Sequence, residues 1–252
     1  MARTYDVYGV GHALVDIQYQ VQPEFLANNQ IDKGVMTLVD ADRQVHLSAA
    51  ITDDPVASAS GGSAANTMIG VARFGGRAYY ACLTGRDDWG DFYQRDLEEA
   101  GVATNPANRD EGTTGQCLVF ITPDADRTLN TFLGISSAIG PDQLQEDIIA
   151  ASQYVYLEGY LFSSDDGFAA AVQAQEMAHR HGTTVSLTLS DPFMVGAFKE
   201  RFDAIIDQGV DLLFCNEEEA LACTGASHRE AAGEMLAEKA GTTYITCGPD
   251  GA

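Results

Sequence analysis

Apolar and polar positions follow two periods along the chain, one typical of helices and one typical of short buried strands. From residue 141 onward the two periods alternate regularly, and strands that alternate with helices of this length predict a parallel, doubly wound α/β sheet flanked by helices. The predicted helices are 141–151, 166–181, 196–208, 217–223 and 227–240, and the predicted strands are 154–157, 184–189, 212–215 and 243–246.

The first half of the chain departs from this alternation. Strands over 5–11 and 77–82 and a helix over 91–100 suit the same sheet. The remaining segments predict a small antiparallel β lid: strands over 13–21, 35–39, 44–48, 115–122 and 127–133, with a short helix over 23–29. We therefore predict a core of residues 1–12, 52–112 and 136–252, and a lid of residues 13–51 and 113–135.

The clearest sequence pattern lies in the stretch Gly61–Gly76, in which two glycine pairs enclose a predicted helix of small residues. Its apolar positions fall on one stripe, and its polar side chains cluster at the start. Ser63 is the predicted N-cap and Gly75 the predicted left-handed end. A glycine pair before a helix suits either an ordinary turn into a core helix or the close approach of a ligand.

Composition excludes several classes of partner. The formal net charge is −23, with 37 acidic and 14 basic residues, and such a surface disfavours nucleic acids and anionic membranes. The chain has neither an apolar run of about 18 residues nor a leader pattern, which predicts a cytoplasmic protein. The five cysteines show no C-x-x-C pairing and are expected to be reduced, buried side chains without a disulfide framework or zinc site.

Three common motifs fail. The third glycine of a dinucleotide fingerprint would fall at Leu14, and no lysine follows a glycine as a P-loop requires. Ala65 stands where the second glycine of a nucleophile elbow would be.

Polar residues at predicted strand ends are the remaining candidates, because ligands of open α/β sheets bind there. Asp16 follows the first glycine turn, the run 216–219 (NEEE) follows a buried strand, and 246–251 (TCGPDG) follows the last strand. A carboxylate of the acidic run can hold hydrated Mg²⁺, and the turn can offer N–H groups to phosphates. Each also has an ordinary structural interpretation, as a solvated aspartate, helix-dipole partners and a loop.

Taken together and in order, these motifs resemble those of the ribokinase family, also called the PfkB sugar and nucleoside kinases. The resemblance rests on the glycine pair followed by Asn66, the N-x-x-E from Asn216 to Glu219, and the T-x-G-x-x-G from Thr246 to Gly251. The loop 84–90 (TGRDDWG) is similar to the G-x-D-x-x-G segment of the family.

The resemblance implies a ribokinase-like fold and a phosphotransferase that uses ATP and Mg²⁺ to phosphorylate a primary hydroxyl group. It implies a Mg²⁺ role for Glu219, shared with Asn216, and a lid that closes over the substrate and excludes water. The implied substrate-binding residues are Asp16, Gly61, Gly62, Ser63, Asn66 and Arg127. The implied nucleotide-binding residues are Asn216, Thr246, Gly248 and Gly251.

The G-A-G-D motif of the family, whose aspartate accepts the hydroxyl proton, does not occur in the 252 residues. We expect it beyond Ala252, so no catalytic residue is assigned in this chain. Residues 1–252 alone are therefore expected to be inactive, and the complete protein to be a kinase.

Ser63 and the segment 11–17 (GHALVDI) resemble adenosine kinases, with His12 in place of an asparagine. A nucleoside, with adenosine favoured, is the expected substrate. The alternatives are a sugar such as ribose, fructose or a keto-deoxy sugar acid, and a non-catalytic nucleoside or sugar sensor. The chain is expected to act as a monomer or as a homodimer through the lid.

Overall fold

The computed structural model describes residues 3–252. Its helices and strands are numbered here in chain order. The strands are β1 (Tyr5–Val10), β2 (Leu14–Gln20), β3 (Met36–Leu38), β4 (Ala57–Gly61), β5 (Ala78–Ala81), β6 (Thr84–Gly85), β7 (Val102–Thr104), β8 (Arg109–Asp110), β9 (Gly115–Ile121), β10 (Arg127–Phe132), β11 (Ser152–Glu158), β12 (Thr184–Thr188), β13 (Val210–Asn216) and β14 (Ala240–Thr246). The helices are α1 (Pro23–Asn28), α2 (Ala41–Ala50), α3 (Ser63–Arg73), α4 (Asp88–Glu99), α5 (Glu146–Ala150), α6 (Asp165–His181), α7 (Pro192–Ala197), α8 (Lys199–Asp207), α9 (Glu217–Thr224) and α10 (Arg229–Ala237).

The main sheet has seven strands in the order β14-β13-β12-β11-β1-β5-β7, and every neighbouring pair is parallel. The predicted parallel α/β core is confirmed. The chain first adds β5 and β7 on one side of β1, and it later adds β11, β12, β13 and β14 in turn on the other side of β1. The strand order therefore reverses between β1 and β11, and ligands of open α/β sheets bind at such a point.

Helices cover both faces of this sheet because its strands carry apolar side chains on both faces. One core contains Val155, Leu187 and Leu213 with apolar residues of α6, α8, α9 and α10. The other contains Tyr80 with Met68 of α3 and Leu97 of α4.

The second sheet, called the lid sheet below, has five strands in the order β3-β10-β9-β2-β4. The predicted small sheet is present, and its pairs β9–β10 and β2–β4 are antiparallel. The pairs β2–β9 and β3–β10 are parallel, so the lid sheet is mixed rather than wholly antiparallel. Strand β4 was not predicted, because its residues (ASASG) are small and carry no strand pattern.

The predicted strand over 44–48 is wrong, because these residues lie in α2. The Asp40 side chain caps this helix by accepting the Arg43 amide at 2.8 Å, so the chain after 35–39 begins a helix instead of turning into a second strand. Gln44 and Leu47 are buried, at the three-residue spacing of a helix rather than the two-residue spacing of a strand.

Two predicted helices are interrupted. The segment 141–151 is a 3₁₀ turn (Pro141–Gln143) followed by α5, and 196–208 is divided between α7 and α8 at Phe198. Four cysteines are buried as predicted, and Cys247 is only half-buried. Within residues 3–252, no helix combines the length and the apolar character needed to cross a membrane.

Candidate functional site

A cavity of about 220 Å³ lies between the lid sheet and the carboxyl ends of β1 and β11, at the point where the strand order reverses. The lining residues His12, Gly62, Ser63, Asn66 and Glu158, called the cavity floor below, are mostly polar. The lining also includes six apolar side chains, which are Leu14, Met36, Leu38, Leu129, Leu133 and Met194. Four of the predicted substrate-binding residues line the cavity, which are Asp16, Gly62, Ser63 and Asn66.

The front end of α3 forms part of the floor. Its N-cap is Gly62 with φ 100°, so the prediction of Ser63 as N-cap is wrong, and Ser63 is the first helical residue. A side chain on Gly62 would overlap the His12 carbonyl oxygen, which explains why this turn needs glycine. The predicted left-handed end is confirmed, since Gly75 has φ 89°.

Asp16 lies in β2, opposite Cys117 on one side and Ala59 on the other, and its carboxyl group lines the cavity. Burial raises the pKa of this carboxyl group from 3.8 to about 6, and the positive charge of Arg127 opposes the rise. No hydrogen bond from residues 3–252 contributes to this pKa. Asp16 therefore presents an unpaired acceptor to the cavity.

Gly61 lies behind Asp16 rather than in the cavity lining. A side chain at Gly61 would overlap the Asp16 carboxyl group, so glycine lets the two strands β4 and β2 meet here. Arg127 is exposed at the start of β10, outside the residues that line the cavity, and acts on Asp16 only through its charge.

Glu158, at the end of β11, is a cavity residue that the sequence reading missed. It is 1% exposed, and its two carboxylate oxygens accept the main-chain amides of His12 and Ala64, each at 2.7 Å. Burial raises the pKa of Glu158, while the charge of His12 and the two amides lower it. A carboxylate directly after the apolar run VYL was the signal available in the sequence.

His12 is 2% exposed, and both of its ring nitrogens face main-chain carbonyl groups. Nδ1 lies 3.0 Å from the Ser136 oxygen, and Nε2 lies 3.3 Å from the Tyr160 oxygen. Neither nitrogen is left for a ligand. A neutral imidazole carries one N–H, so the ring donates to one of these two carbonyl groups and links the segment after β1 to the segment that carries that group.

The predicted nucleotide-binding residues gather at the carboxyl ends of β13 and β14, where Asn216 and Thr246 are neighbours in register. Gly248 (φ 57°) and Gly251 (φ 94°) shape the turn after β14. Strands β13 and β11 are separated by two strand spacings, a distance of about 10 Å. The two groups of predicted residues thus lie along one edge of the sheet.

Asn216 and Glu219 form a capping box at the start of α9. The Asn216 Oδ1 accepts the Glu219 amide at 2.8 Å, and Glu219 Oε2 accepts the Asn216 amide at 3.0 Å. The Asn216 side-chain amide also donates to Glu219 Oε1 at 2.9 Å. Glu219 is 5% exposed, and burial raises its pKa.

Within residues 3–252 no three His, Cys, Asp or Glu side chains cluster as metal ligands. Mg²⁺ in kinases is bound by one or two carboxylates, waters and the phosphates of the substrate. A carboxylate has about four lone-pair positions, so Glu219 keeps acceptor capacity beyond its two bonds to Asn216. Glu219 therefore fits a contact with hydrated Mg²⁺, although its local role is to cap α9.

The G-x-D-x-x-G loop has a structural role. Asp87 caps α4 by accepting the Gly90 amide at 2.8 Å, and it also accepts the Thr114 amide at 2.9 Å. Burial opposes ionisation, but the hydrogen bonds from Thr114 and Gly90 outweigh it and lower the pKa of Asp87. Asp87 thereby joins α4 to the start of β9 in the lid sheet.

The family model described as pfkB family carbohydrate kinase matches residues 35–252. Among solved structures, an adenosine kinase from Sinorhizobium meliloti is 36% identical, with a TM-score of 0.88, over 96% of this chain and 74% of that one. A probable sugar kinase from Rhizobium etli is 34% identical, with a TM-score of 0.90, over 98% and 75%.

The curated relatives include the adenosine kinase of Saccharomyces cerevisiae, 28% identical over 90% of this chain. The chain spans 68% of the length of that enzyme and 58% of the length of a guanosine-inosine kinase from Escherichia coli. The family match covers most of the described residues, and the fold carries the expected motifs in their expected order. The chain therefore belongs to the pfkB family of carbohydrate kinases.

Proposed function

We propose that this protein transfers a phosphoryl group from ATP to a primary hydroxyl group of a nucleoside, with adenosine preferred. The observation that carries the choice of a nucleoside is the cavity, whose lining combines six apolar side chains with polar residues such as Asp16, Ser63 and Asn66. A nucleoside has a matching division, with an apolar base and a hydroxyl-rich sugar. A free sugar has no surface of that size to cover Met36, Leu38 and Leu129.

Within this proposal, Asp16 accepts hydrogen bonds from the sugar hydroxyl groups, and Asn66 and Ser63 complete the polar contacts. The backbone of Gly61 and Gly62 lets the sugar approach closely. Asn216, Thr246, Gly248 and Gly251 bind the nucleotide. Glu219, together with the phosphates, would hold hydrated Mg²⁺, and the ion would supply positive charge to balance the negative charge that develops during transfer. The lid sheet excludes water from the reaction.

A sugar is the second candidate acceptor, because the family description and the Rhizobium etli relative both refer to sugar substrates. We also propose that the protein is cytoplasmic and that it acts as a monomer or as a homodimer formed through the lid. Strand β3 lies at an edge of the lid sheet, where its backbone groups can pair with a second lid.

A panel of acceptors tests the choice of substrate. Burying about 100 Å² of apolar base contributes about 2.5 kcal/mol, so we expect adenosine to bind at least tenfold more tightly than ribose or fructose. Calorimetric titration measures the affinities, and product formation from ATP measures transfer. Tighter binding of either sugar, or its faster phosphorylation, would overturn the preference for adenosine.

The pH dependence of binding tests the role of Asp16. Only the ionised carboxylate accepts two hydroxyl hydrogen bonds, and its pKa in the free protein is about 6. Affinity for adenosine should therefore rise between pH 5 and pH 7, by up to about tenfold per unit below the pKa. Titrations at several pH values measure this dependence, and affinity that stays constant over this range would contradict it.

The same shift has the opposite effect on stability. The folded pKa lies above the usual value of 3.8, so between about pH 4 and pH 6 the folded state binds more protons than the unfolded state. The contribution of Asp16 to the free energy of unfolding therefore falls as pH rises through this window.

A further inference from the structure

The chain crosses between the main sheet and the lid sheet beside the cavity floor. It leaves at His12, between β1 and β2, and it returns at Gly61, where β4 ends before α3. The two crossings are adjacent, because Leu14 and Gly61 are partners in the β2–β4 ladder.

Each crossing is held by a tyrosine of the core. The Tyr80 hydroxyl donates to the His12 carbonyl oxygen at 2.9 Å, and the Tyr93 hydroxyl donates to the Gly61 carbonyl oxygen at 2.9 Å. Tyr80 lies in β5 and Tyr93 in α4, and both side chains are fully buried. Their rings are fixed by the surrounding core, so the hydroxyl groups are fixed donors.

The held groups are packed closely against residues of the cavity lining. The His12 carbonyl oxygen fills the place that a side chain would take at Gly62, and the Asp16 carboxyl group fills the place that a side chain would take at Gly61. A shift of either carbonyl therefore displaces Gly62 or Asp16, which line the cavity. The tyrosines themselves do not line it.

Glu158 holds the opposite side of the same crossing, since it accepts the amides of His12 and Ala64. The peptide groups of His12 are thus held at the amide by Glu158 and at the carbonyl by Tyr80. Because Glu158 remains in a tyrosine variant, loss of one hydroxyl group is expected to loosen the floor without abolishing it.

We infer that Tyr80 and Tyr93 are positioning residues, whose hydroxyl groups hold His12 and Gly61 so that Gly62 and Asp16 keep the arrangement that binds the acceptor. This inference rests on the proposed function for the identity of the acceptor. The hydrogen bonds by which the two tyrosines hold His12 and Gly61 do not depend on the identity of the acceptor.

The test compares Tyr80→Phe and Tyr93→Phe with Tyr79→Phe. Tyr79 is the matched control, because it neighbours Tyr80 in β5 and is 5% exposed, but its hydroxyl group bonds to Gln145, which does not line the cavity. We expect the Kd for adenosine to rise about 2- to 12-fold in the first two variants, the range of one neutral hydrogen bond. The Kd for ATP should stay within twofold.

Hydrogen exchange of the backbone amides in 14–17 and 63–66 is measured on the same proteins without ligand. Exchange should be faster in Tyr80→Phe and Tyr93→Phe than in Tyr79→Phe. Thermal unfolding identifies any variant that fails to fold, in which case the other tyrosine variant provides the test.

A purely structural role would lower stability in all three variants without separating adenosine from ATP. Affinities equal to those of Tyr79→Phe, or equal losses for adenosine and ATP, would overturn the inference. If the unmodified chain binds no nucleoside, the proposed function fails and hydrogen exchange decides. Faster exchange confined to Tyr80→Phe and Tyr93→Phe then supports the positioning role, and unchanged exchange overturns it.

Discussion

Replacing Asp16 with asparagine is expected to raise the Kd for adenosine about 10- to 150-fold and to leave the Kd for ATP unchanged. A hydrogen bond to a charged group contributes about 1.5–3 kcal/mol, and every 1.4 kcal/mol is a factor of ten in affinity. Asparagine has nearly the shape of aspartate, so it fits against Gly61, where space is limiting. The loss of affinity for adenosine therefore measures the contribution of the negative charge and of the second acceptor oxygen of Asp16.

The specificity of the effect follows from the position of Asp16. Its carboxyl group lines the acceptor cavity at the β1–β11 end of the sheet, whereas the predicted nucleotide residues follow β13 and β14. The substitution should also remove the rise in adenosine affinity between pH 5 and pH 7, because the group whose pKa is about 6 is gone.

Calorimetric titration with adenosine and with ATP at pH 7.5 measures both affinities. Asp32→Asn is the control, since Asp32 is exposed in the same N-terminal part of the lid and does not line the cavity. The control should bind adenosine as the unmodified chain does. An Asp16→Asn variant within threefold of the unmodified affinity would refute the assigned role.

The second large effect is expected from Glu158→Ala, which should lower the free energy of unfolding by about 2–6 kcal/mol. It leaves the buried amides of His12 and Ala64 without an acceptor, and each unpaired buried donor costs about 1–3 kcal/mol. These amides belong to the turn after β1 and to the start of α3, so the acceptor cavity should lose its floor and adenosine binding should be abolished.

Glu158→Gln gives the graded comparison. Glutamine keeps one carbonyl oxygen and presents its NH₂ group to the other amide, so one donor remains unpaired and the expected loss is about 1–3 kcal/mol. Urea unfolding at pH 7.5 measures the series, with Glu176→Ala, an exposed site on α6, expected to change stability by no more than about 0.5 kcal/mol.

A loss below about 1 kcal/mol in Glu158→Ala would contradict the double-acceptor role. If Glu158→Ala does not fold, Glu158→Gln alone decides. A stability equal to that of the unmodified chain would then count against the two amide bonds.

The sequence predicted best where one local pattern determines the structure. The stripe of α3, its left-handed end at Gly75 and the strand–helix alternation after residue 141 all follow from periodicity and turn chemistry, and the structure confirms them. The errors arose where local signals conflict or are absent. Asp40 can begin either a turn or a helix, and the small residues of β4 carry no strand signal.

The residues of the site also fall into two groups, those that a local motif predicts and those that it does not. Asp16, Gly62, Ser63 and Asn66 were found because they belong to motifs of short spacing, and all four line the cavity. Glu158 belongs to no motif. Its partners His12 and Ala64 lie 146 and 94 residues away in the chain, so only the folded sheet reveals that it holds them.

The sequence by itself determined the alternating α/β core, the glycine-bounded helix α3 and the order of the kinase-like motifs, because these depend on residues a few positions apart. The tertiary structure alone decided that β1 and β11 are neighbours and that the lid sheet is mixed. It also determined that Glu158, Tyr80 and Tyr93 hold the cavity floor. Such contacts depend on strand order and on the packing of distant segments, which no local pattern encodes.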